Sequence, residues 1–219
     1  MFWVINLQCN LCPRNCNIDR NENTGFCKSH TKAKIARIAP HHWEEPCISG
    51  TKGSGTVFFS GCTLKCVFCQ NYEISWSKEA MQFADRAELV TPEQIAETAQ
   101  YYRRKGNVGV AFTYNEPLVG YEFVRDTAKI VHERGMVNVL VTNGTADLQV
   151  LGELAPYIDA MNIDLKGFTD HYYNEVLGGD RAMTMSFIEE AVKHCHVELT
   201  TLIVPGENDS EDEMREMTE

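Results

Sequence analysis

The chain has 219 residues, 43% of them hydrophobic, which suits one domain with a small appendage and a core large enough to need no disulfides. A formal net charge of −11 argues against a nucleic-acid or anionic-membrane partner. No apolar run approaches the roughly 20 residues of a membrane span.

The N-terminal "MFWVINLQCN" has no basic region and too short an apolar stretch for a signal peptide, so the expected compartment is the cytoplasm. There, nine cysteines suggest thiolates for metal or redox chemistry rather than a disulfide scaffold. Part of the acidity is local. Residues 207–219 hold seven acids against Arg215.

The cysteines divide the chain into a Cys-rich leader, residues 1–50, and a body, residues 51–219. In the leader, Cys9-x2-Cys12-x3-Cys16-x10-Cys27 offers four thiols within 19 residues, interleaved with turn-forming Asn, Pro and Gly. That spacing suggests a metal site. It does not choose between zinc and a second iron–sulfur cluster, because neither a ferredoxin run nor a paired C-x2-C ribbon fits. Cys47 reads as a lone buried thiol, "HHWEEP" (41–46) as a packed loop, and "GTKGSGT" (50–56) as a turn into the body.

The body alternates strand and helix signals. "GTVFFSG" (55–61) is a β-branched and aromatic run bounded by glycines, which predicts a buried strand. "VTPEQIAETAQYYRRKG" predicts a helix, with Thr91 as N-cap, Pro92 at its first position and Gln94 completing a capping box. "VGVAFTY" (108–114) predicts a second strand, 118–135 a helix stopped by Gly135, and "VNVLVTNG" (137–144) a third strand. A third helix follows, then a fourth strand at 159–167, a helix at roughly 181–194 and a fifth strand at 196–206. Ser210 and Glu213 open one more helix with a capping box, and Cys195 reads as core.

Repeated βα units imply a parallel sheet with right-handed crossovers. Every strand ends in polar residues: Cys62, "YNEP", "TNG", "DLK" and "PGEND". Convergence of those ends on one mouth favours a barrel-like sheet over an open doubly wound one. Asp164 and Lys166, two apart, can point into the same cavity or form a plain ion pair.

At the end of the first predicted strand, "GCTLKCVFCQN" spaces Cys62, Cys66 and Cys69 as C-x3-C-x2-C. Thiolates select soft metals, and three of them leave a coordination position open. A zinc site completed by a distant histidine, or plain buried cysteines, would explain the same residues.

With Phe68 just before the last cysteine, this triad resembles the radical S-adenosylmethionine (radical SAM) enzymes. The resemblance implies a [4Fe–4S] cluster on the three cysteines and S-adenosylmethionine on the remaining iron. Reductive cleavage of that cofactor would give a 5′-deoxyadenosyl radical for hydrogen abstraction. "YNEP" (114–117) matches the family's G-G-E-P-like motif, so Asn115 and Glu116 would serve the methionine amino group. Phe68, Asn71, Thr142, Asn143, Asp164 and Lys166 are carried over as further cofactor contacts.

"CNLCPRNCNIDR", "HHWEEPCISG", "GSGTVFFSGC" and "CVFCQNYEIS" narrow the resemblance to pyruvate formate-lyase activating enzyme-like proteins. That likeness implies a partial TIM-type βα barrel, a glycyl-radical protein as substrate, and a reductant such as flavodoxin or ferredoxin. The alternatives are a radical enzyme acting on a small molecule and a non-catalytic iron–sulfur or zinc module. Activases often read D-T-N-G where this chain has Val141-Thr142-Asn143-Gly144. The family's barrel normally has six βα units against five predicted strands here, so the sequence is expected to be C-terminally truncated relative to its relatives.

Overall fold

The computed structural model describes residues 8–42, 50–86 and 90–219, with the side chains of 83–86 excluded. Cys47 and the "WEEP" part of the predicted packed loop lie outside the described residues. Among those described, six strands form one open sheet in the order β1-β2-β3-β4-β5-β6. They are β1 (Ile35–His41), β2 (Ser54–Phe59), β3 (Gly109–Thr113), β4 (Val137–Thr142), β5 (Ala160–Asp164) and β6 (His196–Thr200). The strands from β2 to β6 pair in parallel, as a partial βα barrel requires.

One strand was not anticipated. β1 belongs to the leader and pairs antiparallel with β2, from Ile35 opposite Phe59 to His41 opposite Ser54. The sequence division at residue 50 therefore falls between two hydrogen-bonded neighbours. Pro40 is tolerated because β1 is an edge strand, where a missing N–H need not break a ladder.

The helices run α1 (Tyr72–Ser75), α2 (Lys78–Arg86), α3 (Pro92–Arg103), α4 (Tyr121–Glu133), α5 (Leu148–Leu154), α6 (Arg181–Ala191) and α7 (Glu211–Thr218). The capping box that starts α3 is complete: Thr91 N donates to Gln94 Oε1 at 2.8 Å, and Gln94 N donates to Thr91 Oγ1 at 3.3 Å. The one predicted for α7 is half formed. Glu213 N donates to Ser210 Oγ at 3.2 Å, but the Glu213 carboxylate turns away and accepts from Phe168 N at 2.6 Å. It braces the loop after β5 instead of its own helix.

Strand periodicity decides what each face does. Val110 and Phe112 of β3, Leu140 of β4, and Met161 and Ile163 of β5 pack with Val124, Ala128 and Val131 of α4 and with Leu151, Leu154, Phe187 and Ile188. Each fully buried Val, Leu, Ile, Phe or Met among them contributes roughly 1.5–3 kcal/mol. The opposite face carries smaller or polar residues: Ala111 and Thr113, Val139 and Val141, Asn162 and Asp164, and Thr200. Thr200 Oγ1 donates to Asn162 Oδ1 at 2.9 Å across that face.

β6 is shorter than the predicted 196–206. After Thr200 the chain leaves the sheet, drawn by buried Asn208, which donates to Lys166 O at 2.7 Å and Leu202 O at 2.9 Å. The edge it leaves is only partly covered, with Leu199, Leu202 and Ile203 at 46–51% exposure.

Candidate active site

The polar strand ends converge on one cavity of about 580 Å³. It lies at the C-terminal ends of the parallel strands, where βα folds place their chemistry. Cys62, Cys66 and Cys69 all line it. So do Phe68, Asn71, Asn115, Asn143, Asp164 and Lys166.

The triad loop is built to present sulfur. Leu64 N donates to Cys62 Sγ at 3.4 Å, and Asn143 Nδ2 adds a side-chain donor at 3.5 Å. Such donors favour an anionic sulfur. Burial works in the other direction and pushes the Cys62 thiol well up, with the nearby Glu116 carboxylate adding to the effect. Burial also raises Cys66, against the pull of Lys166. A buried thiol of this kind ionises when a metal replaces its proton.

Lys166 Nζ donates to Asp164 Oδ2 at 2.7 Å, and the pair borders the cavity with side chains 20% and 35% exposed. Burial opposes the lysine's charge, but Asp164 and the sulfurs of Cys66 and Cys62 outweigh it and raise the Lys166 pKa. Phe68 stacks parallel to Tyr172 with centroids 6.3 Å apart, which fixes the ring between the last two cysteines.

Tyr114 and Asn115 both take left-handed backbone angles, φ 60° and 59°, at the end of β3. This turn throws Asn115 back across the sheet, where Nδ2 donates to Phe59 O. Its Oδ1 is buried without a hydrogen-bond partner among the described residues, on a residue that borders the cavity. A buried orphan acceptor is costly unless a ligand satisfies it.

Two residues named from sequence do not face this cavity. Glu116 is completely buried behind it. Its carboxylate accepts from Leu118 N at 3.0 Å, Thr142 Oγ1 at 2.6 Å and Asn143 N at 2.8 Å. Thr142 has the helix-side parity of Leu140 and spends its hydroxyl on that carboxylate. Both brace the turn that sets Asn143 beside Cys62. Burial lifts the Glu116 pKa to about 7 even though all three of those donors pull it down.

The cavity also takes in Trp76 and Thr201, which sequence reading did not single out, together with Tyr114 of the YNEP motif and His41, which it had assigned to a packed loop. His41 comes from the leader strand β1 and meets the Phe58 and Tyr114 rings edge-on, at 6.1 and 6.0 Å. Only the β1–β2 pairing, invisible in local sequence, brings it there. Val141 borders the cavity where activases often carry aspartate. Cys195 lies apart, partly buried against the core, its thiol raised by burial to about 11.

The four leader cysteines gather elsewhere, around a pocket of about 20 Å³. Among the described residues, no three His, Cys, Asp or Glu side chains are grouped at the spacing of a single bound ion.

Comparison with known proteins bears on this geometry. A family model described as the Radical SAM superfamily matches residues 56–218. An uncharacterized protein of Methanocaldococcus jannaschii, MJ0808, is 32% identical over 95% of this chain and 64% of its own length. Pyruvate formate-lyase 1-activating enzyme of Escherichia coli is 28% identical over 74% of this chain and 65% of its own. The chain thus spans about two thirds of the length of these relatives. The crystal structure of Streptococcus suis SuiB bound to S-adenosylmethionine shares the fold, with TM-score 0.56 at 14% identity over 72% of this chain and 34% of SuiB. The matched region starts inside β2, takes in all three cysteines of the cavity and runs to the end of α7, and on that match the chain belongs to the radical SAM superfamily.

Proposed function

We propose that this chain is the catalytic part of a radical SAM enzyme that abstracts hydrogen from a substrate, with a glycine of a partner protein as the donor. The single observation that carries the reading is the cavity at the strand ends, which gathers three thiols, an orphan amide oxygen and an ion pair. Its volume falls within the roughly 300–1,000 Å³ usual for cofactor sites.

Membership in the superfamily implies a [4Fe–4S] cluster and S-adenosylmethionine, and the residues fit both. Cys62, Cys66 and Cys69 are the soft donors a cluster needs, and three of them leave one iron for a chelating cofactor. Asn115 Oδ1 offers the unsatisfied acceptor an amino group would seek. Lys166 offers a cation to a carboxylate, held in place by Asp164. Trp76 and Tyr114 give aromatic surface at the same wall. When bound, the cluster and cofactor supply one-electron reductive cleavage of a sulfonium bond. The chain's part is to hold the thiolates, orient the amino and carboxylate groups, and keep water from the reacting centre.

The protein-glycine substrate rests on the likeness to the Escherichia coli activating enzyme, and it carries with it a flavodoxin- or ferredoxin-type reductant and a cytoplasmic setting. Val141 in place of an activase aspartate means that any carboxylate function at this wall falls to Asp164.

Anaerobic reconstitution followed by electron paramagnetic resonance tests the reading. One four-iron signal per chain should appear and change shape when S-adenosylmethionine is added, with 5′-deoxyadenosine formed under reduction. A signal indifferent to the cofactor would reject it.

A further inference from the structure

The leader cysteines lie outside the site just described, yet they are not scattered. Cys9, Cys12, Cys16 and Cys27 all line one pocket. The chain is wound to bring them there. Gln8 and Asp19 form an antiparallel bridge, Cys9 N donates to Ile18 O at 2.8 Å, and Asn17 N donates back to Cys9 O at 2.9 Å. Asn15, Asn17 and Lys28 take left-handed angles, so the chain reverses beside the cysteines.

Backbone N–H groups point at the sulfurs. Phe26 N donates to Cys16 Sγ at 3.4 Å, Arg14 N reaches Cys12 and Ser29 N reaches Cys27. A β-carbon on Gly25 would lie 2.7 Å from Cys16 Sγ, so only glycine lets that sulfur approach. Arg14 and Arg20 border the same pocket. Four thiolates around a divalent ion carry a net charge of −2, which the two guanidinium groups offset in part, since Arg20 also pairs with Glu122 at 2.7 Å.

We infer that Cys9, Cys12, Cys16 and Cys27 form a mononuclear tetrathiolate zinc site that clasps the leader onto the loop carrying the catalytic cysteines.

The small pocket favours a single ion over a second cluster. About 20 Å³ is room for one water-sized occupant, not for the eight atoms of a cubane. Four thiolates and no open position are the donor set of structural zinc. The sulfurs are not yet at single-ion spacing, so ligation entails a contraction of the leader.

The clasp follows from what the site touches. Cys27 O packs where a β-carbon on Gly61 would lie 2.3 Å away, directly before Cys62. Arg14 Nε donates to Thr63 O at 3.0 Å, directly after it. Asp147 N donates to Leu11 O at 2.8 Å, which ties the leader to the start of α5.

The test uses the whole chain with Cys62, Cys66 and Cys69 all changed to alanine, so that iron bound there is removed. Metal analysis should find one zinc and no iron per chain. Replacing zinc with cobalt should give the visible bands of a tetrahedral tetrathiolate. Cys12→Ser in the same background should lose the zinc and about 10 °C or more of Tm. Hydrogen exchange on the wild-type chain should show residues 9–28 gaining protection when zinc is added, a readout independent of any variant's folding. Iron retained in the triple variant would overturn the inference, as would disulfides among the four cysteines. Zinc absent from both wild type and triple variant would overturn it as well.

Discussion

Four thiols in the leader surround about 20 Å³, while three thiols after β2 border about 580 Å³. Local chemistry is alike in the two places. In each, the N–H two residues past a cysteine reaches its sulfur: Arg14 for Cys12, Ser29 for Cys27 and Leu64 for Cys62. Surroundings differ. The leader turns back on itself and fills its space with its own backbone, whereas the triad sits where parallel strands splay apart. Among the described residues, only the triad receives a side-chain donor from a distant part of the chain, Asn143 Nδ2 from the turn after β4 onto Cys62. Cysteine spacing sets how many donors a site has, and the fold decides whether a position stays open for a ligand.

The sharpest way to break this comparison is to remove one triad cysteine. Cys66→Ala should abolish the cofactor-responsive paramagnetic signal and reduce 5′-deoxyadenosine formation to background. Zinc in the leader should stay at one per chain. Loss of both metals together would mean that the two groups form one site.

The next effect concerns the donor that only the triad has. Asn143→Ala removes the amide from Cys62 and from Thr63 Oγ1. Groups that orient and tune metal ligands typically matter by about 10–100-fold. Cofactor cleavage should fall within that range, with a shifted cluster spectrum and unchanged iron content. A mutant with wild-type rate and spectrum would remove Asn143 from the site.

These contrasts were legible in the sequence to different depths. Strands β2 to β5 stood out because each is a compact apolar run bounded by turn residues. The triad stood out because three cysteines at that spacing directly follow one of them. β1 did not, since "IARIAPH" carries Arg37 and Pro40 and becomes a strand only through pairing with β2. His41 was therefore discounted as loop. Thr142 was misplaced for another reason: a motif match ignores parity, and parity turns it toward the helices with Leu140. Glu116 matched its motif, yet the fold used its carboxylate to knit β4 to the turn after β3. The helix α1 is a single turn too short to carry a pattern, whereas the amphipathic run of α2 was legible and was passed over.

That buried carboxylate supports a third, smaller prediction. In the fold the Glu116 pKa is raised from 4.5 to about 7 by burial. The folded state thus holds its proton more tightly than the unfolded chain does. The resulting stability is fully present below about pH 4.5 and is lost as pH rises through about 7. Glu116→Gln removes the titration but turns an amide N–H toward donors it cannot satisfy, at a cost of about 1–3 kcal/mol. Urea melts from pH 5 to 8 should show wild-type stability declining relative to the variant. A difference independent of pH would contradict the raised pKa.

The smallest effect is expected at the far edge of the sheet. β1 ends the sheet with a proline and Arg37, which discourage further pairing. β6 has no such protection: it pairs only with β5 among the described strands, and Leu199 is 50% exposed on its outer face. Leu202 and Ile203 extend that apolar surface past the strand end. An open strand edge beside exposed leucines invites weak pairing with a second copy. This 219-residue chain should therefore self-associate as its concentration rises. Leu199→Lys places a charge on the exposed face without touching the buried core, and isolated surface changes of this kind usually alter stability by no more than about 0.5 kcal/mol. The variant should elute later than the wild type on size-exclusion chromatography at high concentration, with the same cluster content and the same cofactor cleavage. Identical elution of both at monomer size would show that β6 is closed by its own sequence, and the asymmetry between the two edges would then carry no consequence for assembly.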